Sequence, residues 1–434
     1  MGQPKGNYQV SASAPSLFYG WWVVVAAFLN LFFSVGIIYY GFPVYYPTLV
    51  AQLGFTRAQV TQGFLLGFLL VGIPASLLAG VLIDRLGARW VILSGVGFIG
   101  IPLVLMGSIT RFWQYEVLCL LEVLGYSLAG PIANQVLISR WFSARRGQAM
   151  GYAYLGLGLG GVVSPVLVNW LIAEFGWRQA FAATGATALA ILFPVGFFVT
   201  RSSPSEMGLL PDGISPKRHH PPKAEAPAST GISLALRTTD FWLILLGSTL
   251  VLGAINAVIQ HVILFLKDQG YSTSSASAIL SGLLAASLAG RVLVGYLADR
   301  FKRKNTMALF YLLLGVSIPL LFLAHQSLAA WTFAITFGFA MGADYMLIPL
   351  VAADRFGIGS LGKLLALILT GNSILQWLAP WAAGRLFDVY RSYDLVWKII
   401  AVAAVLGAAA IYAVSDPSRN ASASSGIPCE CAGN

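Results

Sequence analysis

Charge is scarce in this chain. Of 434 residues only 10% are Asp, Glu, Lys or Arg, and 58% are hydrophobic. An average globular sequence carries roughly 25% charged residues. A water-soluble domain needs a mostly polar surface, so a soluble fold of this length is excluded. Cysteine is nearly missing: Cys119 lies in an apolar run, and Cys429 and Cys431 lie in a polar tail. A disulfide framework is thereby excluded, and Cys-x-Cys without a second ligand pair is a weak metal signal, so neither metal nor cofactor is expected. No phosphate-binding glycine loop stands between a strand and a helix, and no nucleophile triad is present. ATP-driven pumping and membrane enzymology therefore lose their usual sequence basis. The first sixteen residues are polar and rich in Ser and Pro, without the apolar segment of a cleaved leader. Gly6 occupies the position where a myristoylation signal carries Ser or Thr.

What the chain has is long apolar runs. Twelve are predicted, at 18–42, 60–83, 88–109, 114–139, 147–171, 178–200, 240–265, 276–298, 304–324, 329–352, 363–387 and 392–414. Each is long enough to cross a hydrocarbon layer of about 30 Å as a helix. The fold class is thus an all-α membrane protein with twelve transmembrane helices in two six-helix bundles, at 18–200 and 240–414. The connection 201–239 contains six prolines among polar residues and reads as a flexible linker. Segments 1–17 and 415–434 are tails. With both tails and the linker on one side, that side holds 18 of the 26 Lys and Arg residues and the other holds 7. The richer side is predicted to be cytoplasmic, in a bacterial-type inner membrane. This asymmetry accounts for the net charge of +10 without a nucleic-acid partner. Asn420-Ala421-Ser422 fits a glycosylation sequon but falls on the cytoplasmic side.

The halves repeat each other. The second span ends in GVLIDRLGAR (Gly80 to Arg89) and the eighth in GYLADRFKRK (Gly295 to Lys304). The fourth ends in Ser139-Arg140-Trp141-Phe142 and the tenth in Asp354-Arg355-Phe356. A parallel repeat of this kind places a substrate site between the halves near the membrane midplane. Twelve spans, a long central loop and G-x-L-x-D-R-x-G-x-R between the second and third spans resemble the major facilitator superfamily from Leu17 to about Val414. Gly80 permits close helix approach. The resemblance implies that Asp84, Arg85, Gly87, Arg89, Asp299 and Arg300 form gating motifs, whose pairs to the neighbouring bundle hold the outward-open state.

Arg291 stands apart. It lies eight residues before Asp299, so about 12 Å inside the membrane. Its charge costs at least about 2.5–3.5 kcal/mol there. It either locks to a carboxylate as a strut or faces a cavity and binds an anion. The second reading is favoured because intramembrane ions mark transport pathways. The guanidinium fork suits a carboxylate and cannot lose its proton. An Arg on the eighth span just before G-x-x-x-D is similar to the monocarboxylate transporters and the oxalate/formate antiporters. The stretches RSSPSEMGLLPDG and LRTTDFW fit the same group. The resemblance implies that Arg291 anchors a substrate carboxylate. Two positions depart from the animal carriers: Val44 follows Phe42-Pro43 where they carry Lys, and Ser287 stands where they carry Asp. The eleventh span offers Thr370, Gly371, Asn372 and Gln376 but no cation, which disfavours a dicarboxylate.

Asp344, level with Arg291 on the tenth span, is the expected proton carrier; the alternative is a permanent Asp–Arg strut. Glu122 and His261 are further titratable candidates, with His261 expected near the outer boundary. Asn30, Tyr39, Tyr126, Tyr154, Asn256, Gln260, Tyr345, Asn372 and Gln376 are polar groups that line a cavity or bridge helices. Tyr45-Tyr46 is expected in an aromatic belt at the outer surface. The glycines from Gly151 to Gly161 suggest close packing. The expected function is a proton-coupled carrier of a small organic anion such as lactate or pyruvate, embedded in the lipid bilayer and working as a monomer. The alternatives are a drug or metabolite exporter, with Arg291 as a strut, and a non-transporting sensor.

Overall fold

In hydrocarbon every backbone N–H and C=O must pair within its own segment, so apolar runs of this length become helices. The computed structural model describes residues 18–142, 145–213, 232–356 and 361–415, without the side chains at 76, 77, 79, 80, 84, 146, 147, 213, 232, 295, 299, 344–346, 361–363 and 366. The described residues form twelve long helical stretches, ten of which hold a helix long and apolar enough to cross a membrane. Those of the first half are α1 (Gly20–Val44), α2 (Arg57–Gly67, Phe68–Gly72 and Ile73–Leu86), α3 (Ala88–Met106), α4 (Phe112–Ala129 and Pro131–Trp141), α5 (Arg146–Phe175) and α6 (Trp177–Val199). Those of the second are α7 (Thr239–Asp268), α8 (Thr273–Arg300), α9 (Arg303–Leu323), α10 (Ser327–Met341 and Asp344–Phe356), α11 (Leu361–Tyr390) and α12 (Asp394–Tyr412). The face carrying the 201–239 connection is called here the linker face, and the opposite one the far face.

Small residues let the backbones touch. A methyl group on Gly36 of α1 would lie 2.5 Å from the Cα of Gly160 on α5. One on Gly342 of α10 would lie 2.5 Å from the Arg291 amide nitrogen on α8, and one on Gly290 would strike the Phe339 carbonyl. Packing therefore explains Gly156, Gly158, Gly160 and Gly161 of α5 and Gly290 and Gly342 beside Arg291, but not Gly151, as van der Waals contact is the main force between helices in lipid. Between the halves, α2 packs on α11, α5 on α8, and the far end of α1 on α7.

Two helices are broken, at equivalent places in the two halves. α4 breaks at Gly130, before Pro131, and α10 breaks at Gly342–Ala343. At the first break the side-chain amides of Asn30 and Asn134 both donate to the Ala129 carbonyl, at 2.7 and 2.8 Å, and Asn134 also donates to Gly130 at 2.8 Å. The Ala129 carbonyl loses its helical partner at the break, and the two Asn side chains replace it, while Gly130 also keeps the Asn134 backbone amide at 3.4 Å.

The start of the connection departs from the sequence reading. Residues 201–213 are docked beneath the first half: Trp141 donates to the Arg201 carbonyl at 2.8 Å, the Arg89 amide donates to Ser202 at 3.1 Å, and the Arg145 amide donates to Asp212 at 3.3 Å. Tyr45 and Tyr46 likewise form no belt. They are 2% and 0% exposed, with Tyr45 stacked on Phe181 at 3.6 Å and Tyr46 donating to Gln260 at 2.8 Å. Their polar tips find partners inside the protein, which removes the reason to sit at an interface.

Candidate functional site

Arg291 lies nine residues before the end of α8, about 14 Å from the linker face. Helical side chains lean towards the helix N-terminus, here the far face, so the guanidinium is carried further inward. Its Nη1 lies 3.6 Å from the position a Gly158 Cβ would take on α5, in the seam between the halves. Arg291 has no hydrogen bond or ion pair among the described residues and keeps partial exposure. The side chain of Asp344 lies outside the described residues, as do those of Tyr345, Asp84, Asp299 and any at Gly80. The backbone places Asp344 at the start of the second segment of α10, two residues beyond the Gly342 that touches Arg291.

Deeper in the seam, Tyr39 of α1 donates to the Asn256 side-chain oxygen on α7, and the Asn256 amide donates to the backbone carbonyl of Gln376 on α11. Pro380 stands four residues beyond Gln376 and has no N–H. The Gln376 carbonyl thus loses its helical donor, and Asn256 supplies another. Trp377 lies beside Tyr39 (5.8 Å, 89°), Phe64 (5.9 Å, 19°) and Phe68 (6.0 Å, 25°), and Tyr126 lies 6.4 Å from Tyr39. The structure thus brings Tyr39, Tyr126, Asn256 and Gln376 together between the halves. Tyr154, one turn from Gly158 on α5, accepts from Gln135. Gln260 is engaged by Tyr46.

Other sequence candidates lie elsewhere. Asn30 braces α1 to the α4 break. Asn372 accepts from Ser248 (2.9 Å) and Thr249 (2.7 Å), inside the second half. Glu122 is 4% exposed, with one carboxylate oxygen buried and unpartnered. Of the motif residues, Gly87 turns α2 into α3 at φ 84°, a conformation that glycine adopts without strain. Arg89 donates to the Phe197 carbonyl, Arg300 lies 4.3 Å over the Tyr296 ring, and Arg85 is exposed. Asp240 of the LRTTDFW stretch binds Arg355 and, at 2.9 Å, the Ser415 amide, tying α7, α10 and the end of α12 together.

At the far face the halves are joined by residues that drew no notice in the sequence. Arg57, at the start of α2, makes a two-pronged pair with Asp268 at the end of α7, both contacts 2.6 Å. Asp388 of α11 accepts from the Arg57 and Ala58 amides at 3.2 and 3.1 Å, so a carboxylate of one half caps a helix N-terminus of the other. The Arg57 guanidinium lies 3.7 Å over the Phe387 ring and donates to Tyr393 at 3.1 Å. His261 is fully buried, not interfacial: it bonds Tyr393 (2.9 Å) and the Pro380 carbonyl (2.7 Å). Because a carbonyl only accepts, Nε2 is the protonated nitrogen and Nδ1 accepts from Tyr393. Charged residues with opposite partners on separate, distant spans were the available signal, but pairing across more than 200 residues is not written in either segment.

The Major Facilitator Superfamily profile matches residues 23–357 and again 274–428. Relatives include monocarboxylate transporter 12 of Homo sapiens, 24% identical over 91% of this chain and 80% of the relative, and monocarboxylate transporter 13 of Rattus norvegicus, 26% identical over 86% and 84%. MFS transporter asaE of Aspergillus flavus is 28% identical over 68% of this chain, a match spanning 64% of that relative. Among solved structures, a D-xylose–proton symporter superposes with TM-score 0.69 at 17% identity, covering 93% of this chain and 99% of that one. A bacterial homologue of the human lysosomal transporter Spinster, inward-facing and unoccupied, superposes with TM-score 0.64 at 18% identity, covering 93% and 95%. These two likenesses establish the fold. The chain belongs to the major facilitator superfamily, with monocarboxylate transporters among its relatives, and is a membrane transporter.

Proposed function

We propose that this transporter carries a small organic anion, a monocarboxylate of the lactate or pyruvate type, together with protons, by alternating access between its halves. One observation carries the reading: a permanently charged guanidinium stands in the inter-half seam, within the membrane, with no anionic partner among the described residues. A fixed cation in such surroundings gains most from an incoming carboxylate that matches its fork. The monocarboxylate transporters among the relatives support the same class.

Asp344 is the proposed proton carrier, because its backbone begins a helix segment beside Arg291. Glu122, buried with a free oxygen, is the second candidate. Both nitrogens of His261 are in use, which favours a role in fixing Tyr393, the hydroxyl that Arg57 of the other half bonds. The linker face is the proposed cytoplasmic side of an inner membrane, with tails 1–17 and 415–434 and linker 201–239 on it. The site lies within one chain, so a monomer suffices.

The test is uptake of labelled lactate and pyruvate into proteoliposomes, with and without an inward proton gradient. Gradient-stimulated uptake is expected for the wild type and is lost in Arg291→Gln. Asp344→Asn abolishes gradient-driven accumulation and keeps exchange. Uptake indifferent to both the gradient and Arg291 overturns the reading.

A further inference from the structure

The neighbours recorded at the Gly158 position are Arg291 and Leu288, and further along the seam stands a cluster of rings. Tyr39, Tyr40, Phe64, Phe68 and Tyr126 converge with Trp377 at the meeting of α1, α2, α4 and α11. Trp377 is 8% exposed, and the other five keep intermediate exposure although they stand at an inter-helix meeting point in both halves. Leu70 and Val292 are far more open, at 63% and 78% exposure. Rings of α1 and α2 thus meet Trp377 of α11 across the seam and stay partly open.

The position of this wall relative to Arg291 follows from α5. The Arg291 guanidinium touches the Gly158 position, and the Tyr40 ring lies 2.9 Å from the Cβ position of Gly161. These positions are three residues apart on one helix face, about 5–6 Å between Cβ atoms. The cation and the nearest ring, Tyr40, therefore stand about a helical turn apart along α5, within reach of the two ends of one small molecule. The hydroxyl of Tyr39 is committed to Asn256, which holds that ring still. Tyr126 has no hydrogen-bond partner among the described residues.

A three-carbon acid offers such a wall one methyl group, for which aliphatic side chains serve equally well. Rings reward a flat partner beyond the area it buries, through offset and edge-to-face contact. We propose that the carried anion is an aryl carboxylate: a flat ring joined by one or two carbons to a carboxylate, with the carboxylate on Arg291 and the ring against Tyr39, Tyr40, Tyr126 and Trp377. This rests on the anion reading above and narrows it.

Calorimetric titration of the purified full-length protein separates the parts. The probes are phenylpyruvate, pyruvate, phenylacetate, cyclohexylacetate and phenethylamine. Phenylpyruvate is expected to bind at least about tenfold more tightly than pyruvate, and phenylacetate several-fold more tightly than cyclohexylacetate, which has the bulk without the π face. Arg291→Gln weakens phenylpyruvate and pyruvate alike. Tyr126→Leu weakens phenylpyruvate by a larger factor than pyruvate; Tyr40→Leu serves if that variant fails to fold. Equal binding of pyruvate and phenylpyruvate overturns the aryl assignment and leaves the anion reading standing. Equal binding of phenylacetate and cyclohexylacetate reduces the wall to apolar bulk and overturns it too. Phenethylamine binding as tightly as phenylacetate, or no carboxylate binding at all, overturns both.

Discussion

Arg291 shows how much one side chain fixes and how much it leaves open. Its cost in the membrane follows from the sequence alone. Its direction follows from helix geometry: leaning towards the N-terminus of α8 takes it away from the nearer water, so snorkelling does not relieve it. Lysine at this position keeps the charge but loses the planar fork. Arg291→Lys is therefore expected to bind carboxylates about 10- to 100-fold more weakly, two parallel charge-assisted bonds being reduced to one; unchanged affinity, measured by calorimetry, would argue against two-pronged binding. Asn256 was equally visible as a polar residue in an apolar run, yet its work was not. It repairs the carbonyl that Pro380 leaves open, 120 residues away. Asn256→Ala is expected to lower stability by about 1 kcal/mol. Pro380→Ala restores the missing N–H, so the Asn256→Ala loss should shrink in that background. A thermal-shift double-mutant cycle measures the difference, and additive effects would refute the pairing.

At the scale of the helix, the twelve spans were legible because hydrocarbon thickness sets their length. The breaks in α4 and α10 were not, since the apolar runs pass through Gly130 and Gly342 without a gap. What marks a break is how its freed carbonyls are served, and for α4 that service comes partly from Asn30 on another helix. The docked start of the connection at 201–213 was also hidden, because its Pro and Ser content describes linkers and capped turns equally well. Glycines divide by surroundings in the same way. A side chain at Gly290 meets the α10 backbone, whereas one at Gly151 meets nothing within 4 Å. Gly290→Val is expected to lose folded protein or several degrees of melting temperature, as overpacking costs about 1–3 kcal/mol and backbone cannot yield like a side chain. Gly151→Ala is expected to be neutral or to gain up to about 1 kcal/mol by removing chain freedom. Size-exclusion profiles and melting temperatures of the two variants distinguish packing from mere composition.

For the whole molecule, the question is what holds the two halves in the arrangement seen. The polar contacts between them run from the midplane outward and end in the cluster around Arg57 at the far face. A chain of donors crosses it: Arg57 to Tyr393, Tyr393 to His261, and His261 to the Pro380 carbonyl. Asp268 and Asp388, on the same α7 and α11 as His261 and Pro380, hold the guanidinium and the helix end. Opening the far face must break the contacts of Arg57 and Ala58 with Asp268, Asp388 and Tyr393 together, while the bonds of His261 lie within the second half and hold Tyr393 in place. Arg57 is 13% exposed and Asp268 is 35% exposed, so solvent screens the pair in part. Hydrogen bonds to charged groups are worth about 1.5–3 kcal/mol when sheltered, so discounting for screening leaves about 1.4 kcal/mol, a factor of ten in the balance between the two arrangements. Ala58 is 4% exposed where α2 meets α11. In a background lacking the native cysteines, a membrane-impermeant thiol reagent should label Ala58→Cys slowly. It should label the same cysteine about ten times faster once Arg57→Ala is added. Asp268→Asn should fall between, because the cap from Asp388 and the Tyr393 bond remain. Equal labelling rates in all three would show that aromatic and backbone packing alone closes this face and that the ion cluster follows the motion without governing it.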